Sequence, residues 1–172
     1  MEGLSGSKHD DYLFGDKNPR TQFESVKVDR TLKDGDSVSL GGVELRARRT
    51  PGHTQGSTTF LTTVEDGGKR YSVVFAASAS INPGTRLVDR PSYPGIADDF
   101  TRSLQFLESL TPDVFLGAHA GFFQMEEKRA RLGQPGPHPF VDPQGYRRHL
   151  AEKRKAFEEQ LAKERAHLTS AR

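Results

Sequence analysis

Two runs of strand-like residues, Val43 to Ala47 and Thr58 to Val64, are separated by Thr50-Pro51-Gly52-His53-Thr54-Gln55-Gly56-Ser57. No other stretch restricts the fold as strongly. Pro51 presets φ, and Gly52 and Gly56 tolerate positive φ, so the spacing favours a tight loop between two strands. His53 stands at its apex. A histidine on a rigid loop meets a metal ion with little further ordering cost. It serves equally well as a loop histidine bonded to backbone, because one imidazole specifies no metal site.

Upstream, Val26 and Val28 alternate with charged residues and predict a strand, and Lys33-Asp34-Gly35-Asp36 predicts a turn. That Asp-Gly-Asp triplet lacks the other ligands of a calcium loop. Val38 and Leu40 lead into Gly41-Gly42 and Val43 and Leu45 lead out, a hairpin pattern with Glu44, Arg46 and Arg48 on its solvated face.

Downstream, Arg70 to Ala76 is apolar enough for an interior strand, paired with Thr58 to Val64 across Glu65-Asp66-Gly67-Gly68. Ala77-Ser78-Ala79-Ser80 follows it. Small hydroxyl side chains just past a buried strand act as turn caps or as donors to an anion. Ile96, Phe100, Leu104 and Leu107 recur at helical spacing and predict a helix near 96–110.

Val114-Phe115-Leu116 predicts a short buried strand that ends near His119; from the residues alone, a satisfied loop histidine is the safer reading there. Met125 to Leu132 reads as a short helix stopped at Gly133. Asp142 caps a helix over 143–168 with Pro143 in its first position, and Tyr146, Leu150, Phe157, Leu161 and Leu168 form its apolar face. His149 and His167 on that helix read as surface residues, and His138 as structural or solvent-facing. The polar stretch from Met1 to Gln22, including His9-Asp10-Asp11, reads as exposed loop.

A chain of 172 residues with no internal repeat predicts one domain with a real core. Net charge is +2, from 25 basic and 23 acidic residues, and this balance argues against a nucleic-acid binder. There is no cysteine, which excludes disulfides, thiolate ligands and cysteine nucleophiles. No apolar run reaches transmembrane length, so no membrane partner is expected, and no charged n-region precedes an apolar core.

Thr50-Pro51-Gly52-His53-Thr54-x-Gly56-Ser57 resembles the third metal motif of the metallo-β-lactamase superfamily. Ala77 to Gly84, Arg86 to Asp89, Pro91 to Asp99, Asp113 to Phe123 and Pro139 to Pro143 resemble the subclass B3 metallo-β-lactamases. The resemblance covers almost the whole chain. It implies an α/β (α+β) fold, the C-terminal portion of an αβ/βα sandwich, with mostly antiparallel strands and packed helices. It also implies two zinc ions, with His53 as the third histidine of the first and His119 as the last ligand of the second. Ser78 and Ser80 match serines beside the second zinc and the substrate carboxylate. The activity implied is hydrolysis of a β-lactam amide by metal-activated water, conferring antibiotic resistance in the periplasm.

The family's His-x-His-x-Asp-His motif does not occur in this sequence. The six histidines stand at 9, 53, 119, 138, 149 and 167. Met1-Glu2-Gly3 resembles the stretch that follows the motif, so residues 1–172 are expected to be a single, N-terminally incomplete domain. Each zinc is then incompletely ligated, no catalytic residue is assigned, and the missing N-terminal half becomes an expected partner beside a β-lactam substrate. Alone, the chain is expected to be inactive and to self-associate. Thr85 stands where the resemblance leads one to expect tyrosine. Two other readings remain: a non-catalytic remnant or interaction module, and a thioesterase-like hydrolase of the same superfamily. The latter fits the His53 loop but not Ser78 to Asp99.

Overall fold

The computed structural model describes residues 27–170. The stretch Met1 to Gln22, its His9-Asp10-Asp11 and the proposed strand residue Val26 lie outside them. Five strands form one sheet in sequential order: β1 (Ser37–Leu40), β2 (Val43–Arg49), β3 (Thr58–Asp66), β4 (Lys69–Ala76) and β5 (Val114–Gly117). The first four are antiparallel and β5 runs parallel to β4. Helix α1 (Ile96–Glu108) makes the crossover between β4 and β5. A 3-10 turn (Ala120–Phe123), the short α2 (Met125–Ala130) and the long α3 (Pro143–Ser170) complete the order. The mixed fold, antiparallel strands with packed helices, agrees with the expected class.

The hairpin signal is realised through Gly41 and Gly42, both at positive φ (56° and 81°), which set Leu40 opposite Val43. Such a turn matches the natural twist of the two strands. Val28 is not in a strand, contrary to its alternating pattern. Sheet pairing begins only after the turn at Asp34 and Gly35, where the Asp36 carboxylate accepts the Lys33 N–H at 2.8 Å.

The core lies between one sheet face and the helices. Val74, Ala76 and Phe115 meet Ile96, Phe100, Leu104 and Leu107 of α1 and Tyr146, Leu150 and Phe157 of α3. The helical spacings thus bury all four predicted residues of α1 and, on α3, Tyr146, Leu150 and Phe157. Leu161 is half-buried, and Leu168, in the last turn, is exposed because none of the described residues packs over it there. Phe100 stacks on Phe157 at 5.5 Å, and the buried Tyr146 hydroxyl donates to the Leu107 carbonyl at 2.8 Å. Asp142 caps α3 as its position suggests, accepting the Gly145 N–H at 2.8 Å, and it also pairs with the buried Lys128 at 3.1 Å.

The opposite sheet face is different. Alternation and register put Val38, Leu40, Val43, Val64 and Phe75 on it, all exposed, Leu40 to 85%. Arg48 points to the helix side instead of water, with its guanidinium 4.5 Å from the Phe106 ring centroid. No helix among the described residues is long and apolar enough to cross a membrane.

His149 corrects the surface reading. It is buried, with ring centroids 5.0 Å from both Phe115 and Phe122. Helical periodicity marked Leu150 and Tyr146 as inward, and His149 shares their side of α3. Burial, then the charge of Lys153, depresses its pKa from 6.5 to about 4. The unfolded chain therefore takes up this proton first as the pH falls. The stability linked to His149 is complete above pH 6.5 and drains away toward about 4. The loss should amount to about 3 kcal/mol. His149→Phe keeps a flat ring in place and should remove the decline in that interval, measured by thermal denaturation across pH. An unchanged pH profile would show that another group governs it.

Candidate functional site

Strand register brings the candidate residues to one edge of the sheet. Arg49 pairs with Thr58 at the mouth of the His53 loop, Phe60 pairs with Phe75, and Ala76 pairs with Gly117. His53 therefore leaves the β2–β3 end, Ser78 follows β4 by two residues, and His119 follows β5 by two. Parallel pairing of β4 and β5 makes their carboxyl ends neighbours, although their sequences lie far apart.

The loop holding His53 is fixed by its own polar groups. Thr50 N–H donates to the Ser57 carbonyl at 2.9 Å, and the Thr54 and Ser57 hydroxyls meet at 3.1 Å. Ser103 of α1 donates to the Pro51 carbonyl at 2.6 Å. Buried Thr59 meets the Thr50 hydroxyl at 2.9 Å and accepts the Ala77 N–H at 3.2 Å. One hydroxyl thus ties the loop to the segment after β4.

Gly52 has φ 139°, and a Cβ there would sit 2.8 Å from the Phe100 ring. Only glycine lets the loop lie this close to α1.

His53 Nδ1 lies 2.7 Å from the Ser80 carbonyl. A carbonyl only accepts, so Nδ1 carries the hydrogen and Nε2 the lone pair. This is how a backbone carbonyl fixes the tautomer of a metal-binding histidine. The Ser80 N–H in turn donates to the Ser78 hydroxyl at 3.2 Å. Ser78 is buried and Ser80 half-buried. His53, Ser80 and Ser78 are therefore joined directly. His119 is exposed and extended (φ −129°, ψ 143°), with the Phe122 ring edge-on at 5.0 Å and 83°.

Imidazole donors suit zinc, and the tautomer of His53 suits a ligand bound through Nε2. Among the described residues, however, no cluster of three histidine, cysteine, aspartate or glutamate side chains gathers to hold a metal. Two grooves, of about 520 and 610 Å³, lie along α3 beside Asp89 and across the sheet at Arg46 and Leu61. Neither is lined by His53, Ser78, Ser80 or His119. His138 is exposed and far simpler in role, its Nδ1 accepting the Phe140 N–H at 3.3 Å.

Residue reasoning passed over Thr59, Ser103 and Phe122. Thr59 carried no distinct signal, since β3 also holds Thr58, Thr62 and Thr63 and only the structure shows which of them is buried. Phe122, three residues beyond His119, was signalled by spacing alone. Thr85 is buried, and its carbonyl accepts the Gln160 side chain at 2.7 Å.

No family model matches the chain. Its structure is similar to the FEZ-1 metallo-β-lactamase of Legionella gormanii, with 41% identity and TM-score 0.87, over 94% of this chain and 61% of that one. It is also similar to BJP-1, a subclass B3 metallo-β-lactamase of Bradyrhizobium japonicum, with 35% identity and TM-score 0.85, over 97% of this chain and 62% of that one. A protein of Burkholderia pseudomallei (strain 1710b) described as a probable metallo-hydrolase is 33% identical over 98 residues, 55% of this chain and 33% of its own length.

Fold and identity place the chain in the metallo-β-lactamase superfamily, with the fold of its hydrolases. Within it, the solved neighbours are subclass B3 metallo-β-lactamases. The chain spans about three-fifths of the length of these solved relatives and a third of the curated one.

The loop geometry carries a stability prediction. Gly35→Ala meets only the unfavourable positive φ, since nothing lies within 4 Å, and should cost about 1–2 kcal/mol. Gly52→Ala adds the clash with Phe100 and should cost roughly twice that or more. Denaturant unfolding of the two variants makes the comparison. Equal losses would mean that the close approach to Phe100 is relaxed without cost.

Proposed function

We propose that this chain supplies part of a zinc-dependent hydrolase that acts on β-lactams, in a periplasmic setting. The observation that carries this reading is the bond between His53 Nδ1 and the Ser80 carbonyl at 2.7 Å. It presents Nε2 as a ligand and couples the metal-binding loop to the Ser78–Ser80 segment. The similarity to FEZ-1 and BJP-1, both metallo-β-lactamases, supports β-lactams as substrates.

His53 would hold one zinc and His119 a second. Bound zinc would supply an activated water at neutral pH. Ser78 and Ser80 would contact the substrate carboxylate. The Ser80 residue then has two separable parts: its carbonyl orients His53, while its hydroxyl meets substrate.

A catalytic zinc normally takes three protein ligands, and each ion here is offered one histidine from the described residues. We propose that a partner segment carrying His-x-His-x-Asp-His provides the others and sits against the apolar sheet face. The exposed Val38, Leu40, Val43, Val64 and Phe75 support that surface as its seat. The 172-residue chain by itself should bind zinc weakly and below one equivalent per site, and should not hydrolyse a chromogenic cephalosporin. Supplying the segment, in cis or separately, should restore both. In the restored enzyme, His53→Ala and His119→Ala should each remove about one equivalent of zinc along with activity. Ser80→Ala keeps the carbonyl, so it should raise KM about tenfold and leave zinc content unchanged. Metal analysis and steady-state kinetics make these measurements. Two equivalents of zinc and steady turnover by the unsupplemented chain would overturn the reading.

A second reading, an interaction module without chemistry, is favoured by the absence of a three-ligand cluster among the described residues. It predicts no turnover even with the segment present. Both readings expect the bare chain to self-associate through its apolar face. Leu40→Lys with Phe75→Lys should shift sedimentation toward monomer and lower binding of a hydrophobic dye. If the unaltered chain already sediments as a monomer that binds no dye, the face is not adhesive.

A further inference from the structure

We infer that Phe122 is a positioning residue for His119, held in place by a cluster that includes His149 and Lys153. This inference rests on the reading of His119 as a metal ligand. The Phe122 N–H donates to the His119 carbonyl at 3.0 Å and opens the 3-10 turn Ala120–Phe123. The turn thus folds back on His119, whose own backbone is extended, and the Phe122 and His119 rings meet nearly perpendicular, at 83° and 5.0 Å.

An exposed histidine at the end of a strand has rotamers to choose among, and a fixed aromatic neighbour limits that choice. Phe122 is itself fixed. The His149 ring lies 5.0 Å from it at 41°, and the Lys153 ammonium lies 4.7 Å from its centroid. His149 also meets Phe115 at 5.0 Å, so this cluster of rings is anchored in β5 and the core. Gly117 provides the seat: a Cβ there would lie 2.9 Å from Phe122 Cβ and 3.2 Å from the Phe115 ring. Each member of the arrangement thus has its place set by another. Its effect is to aim the one histidine at this edge that no hydrogen bond is seen to orient among the described residues.

The full chain, labelled with ¹⁵N-histidine, tests this without requiring catalysis. The ring resonances of His119 are identified by their loss in His119→Gln, and those of His53 serve as the internal control. Phe122→Met conserves volume but removes the ring. It should shift and broaden the His119 ring resonances while leaving those of His53 in place. The zinc concentration needed to perturb His119 should rise about tenfold. Phe122→Tyr should preserve the wild-type pattern in both respects.

Unmoved His119 resonances in a folded Phe122→Met chain, or loss of the wild-type pattern in Phe122→Tyr, would overturn the proposal. Should Phe122→Met unfold, Phe122→Leu takes its place under the same criteria. Unfolding of both while Phe122→Tyr folds would assign Phe122 to packing alone and equally overturn the proposal. Failure of zinc to perturb His119 even when the His-x-His-x-Asp-His segment is supplied would count against the metal-ligand reading itself. The metal-free resonance shifts would still decide whether Phe122 orients the ring.

Discussion

The parallel pairing of β4 with β5 is the constraint on which the site depends. Only through it do residues around 78 and 119 come to the same edge. Parallel strands cannot be joined by a tight turn, so the pairing must be held by other means. Asp113, at the start of β5, accepts both the N–H and the hydroxyl of Ser72, at 2.8 and 2.7 Å. The Asp113 N–H answers to the Ser72 carbonyl at 3.0 Å. Those bonds hold the carboxyl below its usual range, which is the signature of a carboxylate favoured by its donors. The staple lies at one end of the strands and the site at the other. A slip of one residue would exchange the faces of Phe115 and Leu116 and lose the core contact as well as the site.

Much of this was legible in the residues, because most of the structure follows local rules. Gly41-Gly42 demanded a hairpin, Asp142-Pro143 a helix start, and Ile96, Phe100, Leu104 and Leu107 an inward face. Each of those signals rests on backbone dihedrals or on a single period. Val28 failed because alternation alone does not supply a partner strand. His149 failed because polarity says surface, whereas its neighbours Phe115 and Phe122 arrive from β5 and the 3-10 turn, far away in sequence. The joining of His53 to Ser80 was likewise invisible. It depends on Thr59 and on sheet register, and neither leaves a mark within the His53 loop. Family resemblance singled out His53 and His119 as candidate ligands, but it did not reveal what holds them in place.

The polar bonds around His53 and the apolar surface around Leu40 are two different kinds of preparation. The first removes choices in advance: loop, tautomer and serine segment are already fixed, so binding there need not spend free energy on ordering them. The second leaves a favourable interaction unmade. Apolar area that remains in water is worth about 25 cal/mol per Å² when covered, so the sheet face is a reservoir for association. The helix side has used its reservoir, with Phe100, Phe115 and Tyr146 fully buried.

On the proposed reading, these two preparations are thermodynamically linked. A segment that covers the apolar face also brings the ligands that complete the metal site, so metal and segment each bind better in the presence of the other. Linkage makes the gain reciprocal: the factor by which zinc tightens the segment equals the factor by which the segment tightens zinc. Neither affinity is then a property of this chain alone. Zinc meeting only His53 or only His119 has little to hold it, and a segment without zinc must be held by the sheet face and its edges. The preset tautomer of His53 matters most in this setting. It keeps the hydrogen of one ligand on Nδ1, away from the metal-binding nitrogen, before either partner arrives, so that segment binding need only add donors and not reorganise those already present.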